Sequence, residues 1–267
     1  MANFGDLRAR VLSGIVMAVV GVAAIWLGGY TFGVLAVVLA GLMGWELHKM
    51  MVPDAPEGRA EATGVVAAIL VGVFTVWQGG WFALAGLALG AVAMAWKMPR
   101  DRVIFGLYFA LILWAAHGLI VLREGYGLIF VLWLVCVVIA SDVAGYFAGR
   151  VIGGPKFWPR VSPKKTWSGT VAGWLLAAGV GAGFVVWGGM PGEVIALSSL
   201  LAFAGQLGDI AESAIKRRMK VKDSSNLIPG HGGVLDRFDA MIAVAALALV
   251  LAYLGAFSGH IVPGLPG

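Results

Sequence analysis

Asp209 and Glu212 stand three residues apart in GDIAES (208–213), and Asp236 and Asp239 repeat that spacing in LDRFDA (235–240). Residues three and four apart share a helix face. Asp209, Glu212 and Ser213 therefore form one polar stripe with Lys216 a turn beyond, and Asp236 and Asp239 aim two carboxylates the same way. Two such helices facing each other bring Asp209, Asp236 and Asp239 together as hard oxygen donors, a set suited to Mg²⁺ with open positions for phosphate. The competing reading is that Asp236 and Asp239 only complement the positive N-terminal end of their own helix.

Between these acids runs SAIKRRMKVKDSSNLIPGHGGVLDRFDA (213–240). Lys216, Arg217, Lys220 and Lys222 can neutralise phosphates, Arg217 with a bidentate fork. His231 lies between glycines, where the backbone can turn sharply and offer amides to an anion. A second basic loop, 149–168, carries Lys156, Arg160, Lys164 and Lys165, with prolines that interrupt any helix and Gly153 and Gly154 allowing close backbone approach. Ser168 precedes an apolar run and is a candidate helix cap. Asp142, in SDVAGYFAGR, needs a polar partner because a charge at membrane depth is costly. Glu46, beside His48 and Lys49, reads as a solvated helix end. Basic groups beside clustered aspartates mean chemistry on phosphates; no Walker loop, Ser-His-Asp arrangement, HExxH pair or cysteine zinc motif is present.

The elements that must position these residues are membrane helices. Of 267 residues, 60% are hydrophobic and 12% charged, which excludes disordered, collagenous and nucleic-acid-coating chains. About nine apolar stretches are legible, near 11–28, 31–48, 63–79, 81–96, 103–122, 127–148, 169–188, 193–215 and 236–257. The expected fold is all-α, a polytopic integral membrane protein forming a single membrane domain over 1–267. With the N-terminus cytoplasmic, Arg123 is the only Lys or Arg in the outer loops, a decisive positive-inside asymmetry that also places the C-terminus outside. Residues 1–125 read as apolar N-terminal helices, and 126–257 as the catalytic half with cytoplasmic loops 149–168 and 216–236. The tail after Phe257 has no periodicity. The single cysteine, Cys136, allows no intrachain disulfide and reads as a small buried hydrophobe. Phe157, Trp158 and Trp167 are candidates for stacking on a base, though Trp is ordinary at a membrane interface.

The loop pattern resembles that of the phosphatidate cytidylyltransferase (CDP-diacylglycerol synthase) family. Ser213, Lys216, Arg217, Lys222, Asp223, His231, Gly232, Gly233, Asp236, Arg237 and Asp239 occupy the family's positions without a gap. GDIAES, SPKKT (162–166) and Asp142 with Tyr146 and Gly149 extend the match; Ser168 stands where family members usually have Glu. The resemblance implies transfer of CMP from CTP to phosphatidate, giving CDP-diacylglycerol and pyrophosphate, with Mg²⁺ and, as an optional addition, a monovalent cation such as K⁺. It implies Lys216, Arg217, Lys222, Asp223, His231 and Arg237 as catalytic, and Ser162, Lys164, Lys165, Ser213, Gly232, Gly233 and Asp142 as substrate-binding. Asp209, Asp236 and Asp239 are the expected metal ligands. The implied partners are CTP, phosphatidate taken from the bilayer and membrane lipids, with no nucleic acid and a homodimer left open. The implied location is the inner (plasma) membrane, with the site facing the cytoplasm. Rival readings are another lipid-phosphate transferase or polyprenol kinase and, from a different class, a secondary transporter whose intramembrane acids bind ions.

Overall fold

The computed structural model describes residues 4–77 and 80–257, with side chains from Arg10 onward. The side chain of Arg8, the link at Gly79 and the tail after Phe257 lie outside the described residues. Among those described, the helices are α1 (Phe4–Leu27), α2 (Gly29–Met51), α3 (Arg59–Trp77), α4 (Trp81–Trp96), α5 (Arg102–Val151), α6 (Trp167–Gly188), α7 (Val194–Arg218) and α8 (Leu235–Tyr253).

The count differs from the nine stretches expected. Six helices, α1, α2, α3, α5, α6 and α7, are long and apolar enough to cross a membrane, which makes this a polytopic membrane protein. α4 is only 16 residues long, and α8 begins with Asp236, Arg237 and Asp239, which dilute its apolar run. The stretches expected at 103–122 and 127–148 run on as α5, whose 50 residues would extend about 75 Å if straight. That is more than twice the roughly 30 Å of a hydrocarbon core. α5 breaks at Gly127, with φ 82° and ψ −170°, a conformation open essentially to glycine alone.

The all-α expectation also needs correcting in the loop 149–168. Strands β1 (Lys156–Trp158) and β2 (Ser162–Thr166) pair antiparallel, with Lys156 opposite Thr166 and Trp158 opposite Ser162. Pro155 and Pro159 stop a helix on either side of β1, leaving extended backbone to pair with itself. The hairpin feeds directly into α6, whose N-cap is Thr166 and not Ser168: Thr166 Oγ1 accepts from the Gly169 amide at 3.2 Å. Ser168 instead donates to the Gly153 carbonyl, closing the base of the hairpin.

One core cluster joins α2, α3, α4 and the first half of α5 around Leu47, Phe105, Phe109 and Leu113. Another joins the second half of α5 to α6, α7 and α8 around Trp133, Leu134, Leu201 and Leu249. Outward positions such as Trp26, Val34, Leu89, Leu107 and Leu175 are exposed. An apolar exterior is what a hydrocarbon solvent permits, so helix contact rests on close packing and not on burial from water.

Candidate active site

α5, β2, α6, α7 and α8 surround a cavity of about 510 Å³, lined among others by Asp142, Tyr146, Arg150, Lys164, Lys165, Gln206, Asp209 and Asp239. Two contacts without side chains set its shape. A Cβ on Gly208 would lie 2.5 Å from the Asp239 carbonyl oxygen and 2.8 Å from Ala243 Cβ, so α7 and α8 touch backbone to backbone beside the two aspartates. A Cβ on Gly169 would lie 2.5 Å from the Gly145 carbonyl, which draws α6 against α5.

The acids and bases inside are held from several elements. Lys165, on β2, places Nζ 2.6 Å from Asp209 Oδ2 and donates to the Gln206 carbonyl at 3.0 Å. Ser213 Oγ donates to Asp209 Oδ1 at 3.3 Å, as the four-residue spacing predicts. Gln206 is fixed from both ends: Trp174 Nε1 donates to its Oε1 at 3.0 Å, while its Nε2 donates to Ser141 Oγ at 3.2 Å and to the Thr170 carbonyl at 3.3 Å. This network ties α5, α6 and α7 together beside Asp209. Arg150 Nη1 donates to Tyr146 Oη at 2.6 Å, leaving the guanidinium on the cavity wall.

Asp236 is differently engaged. Its Oδ1 receives Lys216 Nζ at 2.7 Å, and its Oδ2 receives the amides of Ser224 and Gly233, each at 2.8 Å, and Ser224 Oγ at 2.9 Å. Lys216 also pairs with the fully buried Glu212. The residue expected as a metal ligand at 236 thus has a protein donor on each of its oxygens. Asp236 Oδ2 serves the turn 224–233 in the way a capping side chain serves a helix start.

Glu46, expected to be a solvated helix end, is fully buried. It accepts the amides of Val234 and Leu235 at 2.9 and 2.7 Å and the hydroxyl of Ser225 at 2.6 Å. Ser224 Oγ adds a longer contact of 3.4 Å. The desolvation that favours a solvated reading of a lone Glu is compensated here by donors almost two hundred residues away. Sequence reading missed Glu46, Gln206 and the serine pair; the two adjacent serines before an α8 start without a capping side chain were the only local signal.

The remaining expected residues divide. Asp142, Lys164, Lys165, Asp209, Asp236 and Asp239 line the cavity, whereas Lys216, Arg217, Lys222, Asp223, His231, Arg237, Ser162, Ser213, Gly232 and Gly233 lie outside its lining. Arg217 in the last turn of α7, Lys222 and Asp223 on the loop, and Arg237 at the start of α8 are exposed. His231 Nδ1 sits 2.8 Å from Ser13 Oγ on α1, which also donates to the Pro229 carbonyl at 3.0 Å. Gly232 turns with φ 83°. A Cβ on Gly233 would meet Ser224 Oγ at 2.0 Å and Glu46 Oε1 at 2.5 Å, which explains a glycine there without invoking a ligand. Outside the spans, Arg218 Nε and Nη2 both reach Asp101 Oδ1, at 3.0 and 2.6 Å, and hold that carboxyl below its ordinary range. Phe157 and Trp167 meet edge to face at 4.7 Å, packing the hairpin onto α6.

Among the described residues no three His, Cys, Asp or Glu side chains are already gathered tightly enough to hold an ion. The donor chemistry of Asp142, Asp209 and Asp239 nevertheless fits a hard divalent cation, since three carboxylates share one polar cavity. Asp236 lines the same cavity, and there Lys216 Nζ on its Oδ1 competes with a cation while three protein donors occupy its Oδ2.

Residues 8–254 match the Cytidylyltransferase family. A protein of Brucella suis biovar 1 (strain 1330) named phosphatidate cytidylyltransferase is 36% identical over 255 residues, covering 91% of this chain and 92% of that one. One of the same name from Bacillus subtilis (strain 168) is 30% identical over 270 residues, covering 90% and 95%. A third, from Helicobacter pylori (strain ATCC 700392 / 26695), is 42% identical over 122 residues, covering 45% of each chain. With acids and lysines facing one cavity between helices, and a match running through nearly its whole length, this chain belongs to the cytidylyltransferase family.

Proposed function

We propose that the protein is a CTP:phosphatidate cytidylyltransferase, a nucleotidyltransferase of phospholipid biosynthesis. It transfers CMP from CTP to phosphatidate and releases pyrophosphate. The observation that carries this reading is the similarity, over 90% or more of both chains, to relatives bearing that name. The cavity supports it with carboxylates for a cation and Lys164, Lys165 and Arg150 for anions.

Phosphatidate already carries an anionic nucleophile, so the protein need not generate one. A phosphate oxygen of the lipid attacks the α-phosphorus of CTP, and the bond from that phosphorus to the bridging oxygen breaks, releasing pyrophosphate. Two polyanions must first meet, and Lys165, held at the wall by Asp209 and the Gln206 carbonyl, offers a fixed positive charge where they do. Lys164 and Arg150 flank it. Mg²⁺ held by Asp209, Asp239 and Asp142 supplies, when bound, further neutralisation of the phosphate oxygens; K⁺ is a second candidate cation. Lys222 and His231 on the neighbouring loop, with Arg217 at the end of α7 and Arg237 at the start of α8, are suited to the leaving pyrophosphate, with Asp223, Ser162, Ser213, Gly232 and Gly233 shaping its approach. Asp236 and Lys216 are assigned to holding that loop in place.

The finer topology belongs to this reading. Counting α5 as two segments about Gly127 gives nine crossings, with the N-terminus and the basic loops cytoplasmic, the C-terminus outside and the inner membrane as location. Residues 126–257 supply the catalytic groups and 1–125 the apolar scaffold. Phosphatidate reaches the cavity sideways from the leaflet and CTP from the cytoplasm; a homodimer is compatible with this arrangement.

A nucleotide panel with purified protein and phosphatidate tests the reading. CTP and dCTP should release pyrophosphate and form the CDP-lipid, whereas ATP, GTP and UTP should not. Phosphoryl transfer to a polyprenol would favour the kinase, and no turnover with any nucleotide would favour a transporter.

A further inference from the structure

We infer that Glu46 is a positioning residue of the active site, acting from α2 through the loop between α7 and α8. The inference rests on the cytidylyltransferase reading for its kinetic arm only.

The N-terminus of α8 lacks a capping side chain of its own: its N-cap is Val234, which carries no side-chain acceptor. The first amides of a helix need partners from elsewhere, and here Glu46 supplies one oxygen to Val234 and the other to Leu235. The same carboxylate takes the hydroxyl of Ser225, and Ser224 Oγ lies between it and Asp236. Two carboxylates, one from α2 and one from α8, thus grip a single turn from opposite sides. Gly233 passes between them with no room for a Cβ.

What this holds is chemically specific. The gripped segment separates Lys222 and Asp223 from Asp239, and its far end fixes the rotation of α8 about its axis. That rotation decides whether Asp239 faces the cavity: a turn of one residue, about 100°, would aim it elsewhere. Glu46 touches neither the cavity nor the basic side chains, and is absent from the cavity lining. Its effect on turnover must therefore pass through the loop and the helix start.

The test is Glu46→Gln, close to isosteric, in which one of the two backbone amides loses its acceptor. It is compared with wild type in steady-state kinetics and with a nitroxide label at Asn226→Cys in a Cys136→Ala background. Expected are a fall in kcat on the order of 100-fold, a smaller change in KM for CTP, and a more mobile label at position 226. A control label at Ser199→Cys, on α7 away from the loop, should keep its wild-type mobility. Unchanged kcat with an immobile label at 226 would overturn the inference, as would equal loosening of both labels, which marks a general loss of packing. Should Glu46→Gln fail to fold, Ser225→Ala removes only the 2.6 Å hydroxyl contact; a mobile label and a severalfold lower kcat support the inference, and wild-type values of both overturn it. Wild-type protein inert towards CTP and phosphatidate would sink the activity reading, while the labels would still decide whether Glu46 holds the loop.

Discussion

Lys165 Nζ lies 2.6 Å from Asp209 Oδ2, joining the β-hairpin to α7 at the wall of the acidic cavity. The contact half-neutralises an aspartate that also has to serve a cation, and it keeps a lysine aimed at the place where phosphates meet. Lys165→Met is expected to lower kcat/KM for CTP by about 100-fold or more, the scale of removing one preorganised charge from a transition state. Lys165→Arg should restore little, because a planar fork cannot reproduce a point charge in the same space. Initial rates across CTP concentration check both.

The three aspartates expected as metal ligands should separate experimentally. Asp239→Asn and Asp209→Asn are expected to abolish turnover while leaving the unfolding midpoint in detergent near that of wild type. Asp236→Asn is expected to destabilise by about 1–3 kcal/mol, because an amide cannot accept from all four donors now converging on it. The reverse pattern, a stable but inactive Asp236→Asn and an unstable Asp239→Asn, would return residue 236 to the ligand set.

Gly208→Ala places a methyl 2.5 Å from the Asp239 carbonyl. Because the obstruction is backbone, α7 and α8 must part, with an expected loss of about 1–3 kcal/mol and a lower rate from displaced carboxylates. Thermal unfolding and turnover measured on the same preparation test the two effects together.

Gly127→Ala asks a side chain to adopt φ 82° and ψ −170°. The expected penalty is about 1–3 kcal/mol of stability, with little change in KM because the kink lies at mid-α5, well before the cavity-lining stretch Ser141–Arg150. A wild-type melting curve would show that α5 can redistribute the bend.

Composition and hydropathy made the membrane helices legible, and the three-residue spacing of the acids found the faces of α7 and α8 that meet at the cavity. Both signals are local and periodic. The donors that hold Asp236 were not legible, because three of the four lie on a loop whose shape no periodicity encodes. Glu46 escaped because in its own helix nothing marks it as buried, and its partners come from the far end of the chain. The kink at Gly127 was hidden because two spans joined by one glycine read like two spans joined by a short link. The β-hairpin read as irregular loop because its prolines argue only against helix.

Glu46 and Ser13 emerge early in translation, whereas the segment they hold is made only after α7 is complete. Until α8 is synthesised, Glu46 has no donors, and an ionised carboxylate stranded in hydrocarbon is costly. The end of α2 that carries Glu46 must therefore stay hydrated until α8 packs against it. The arrival of α8 thus closes over a carboxylate that α2 brings to the membrane unpartnered.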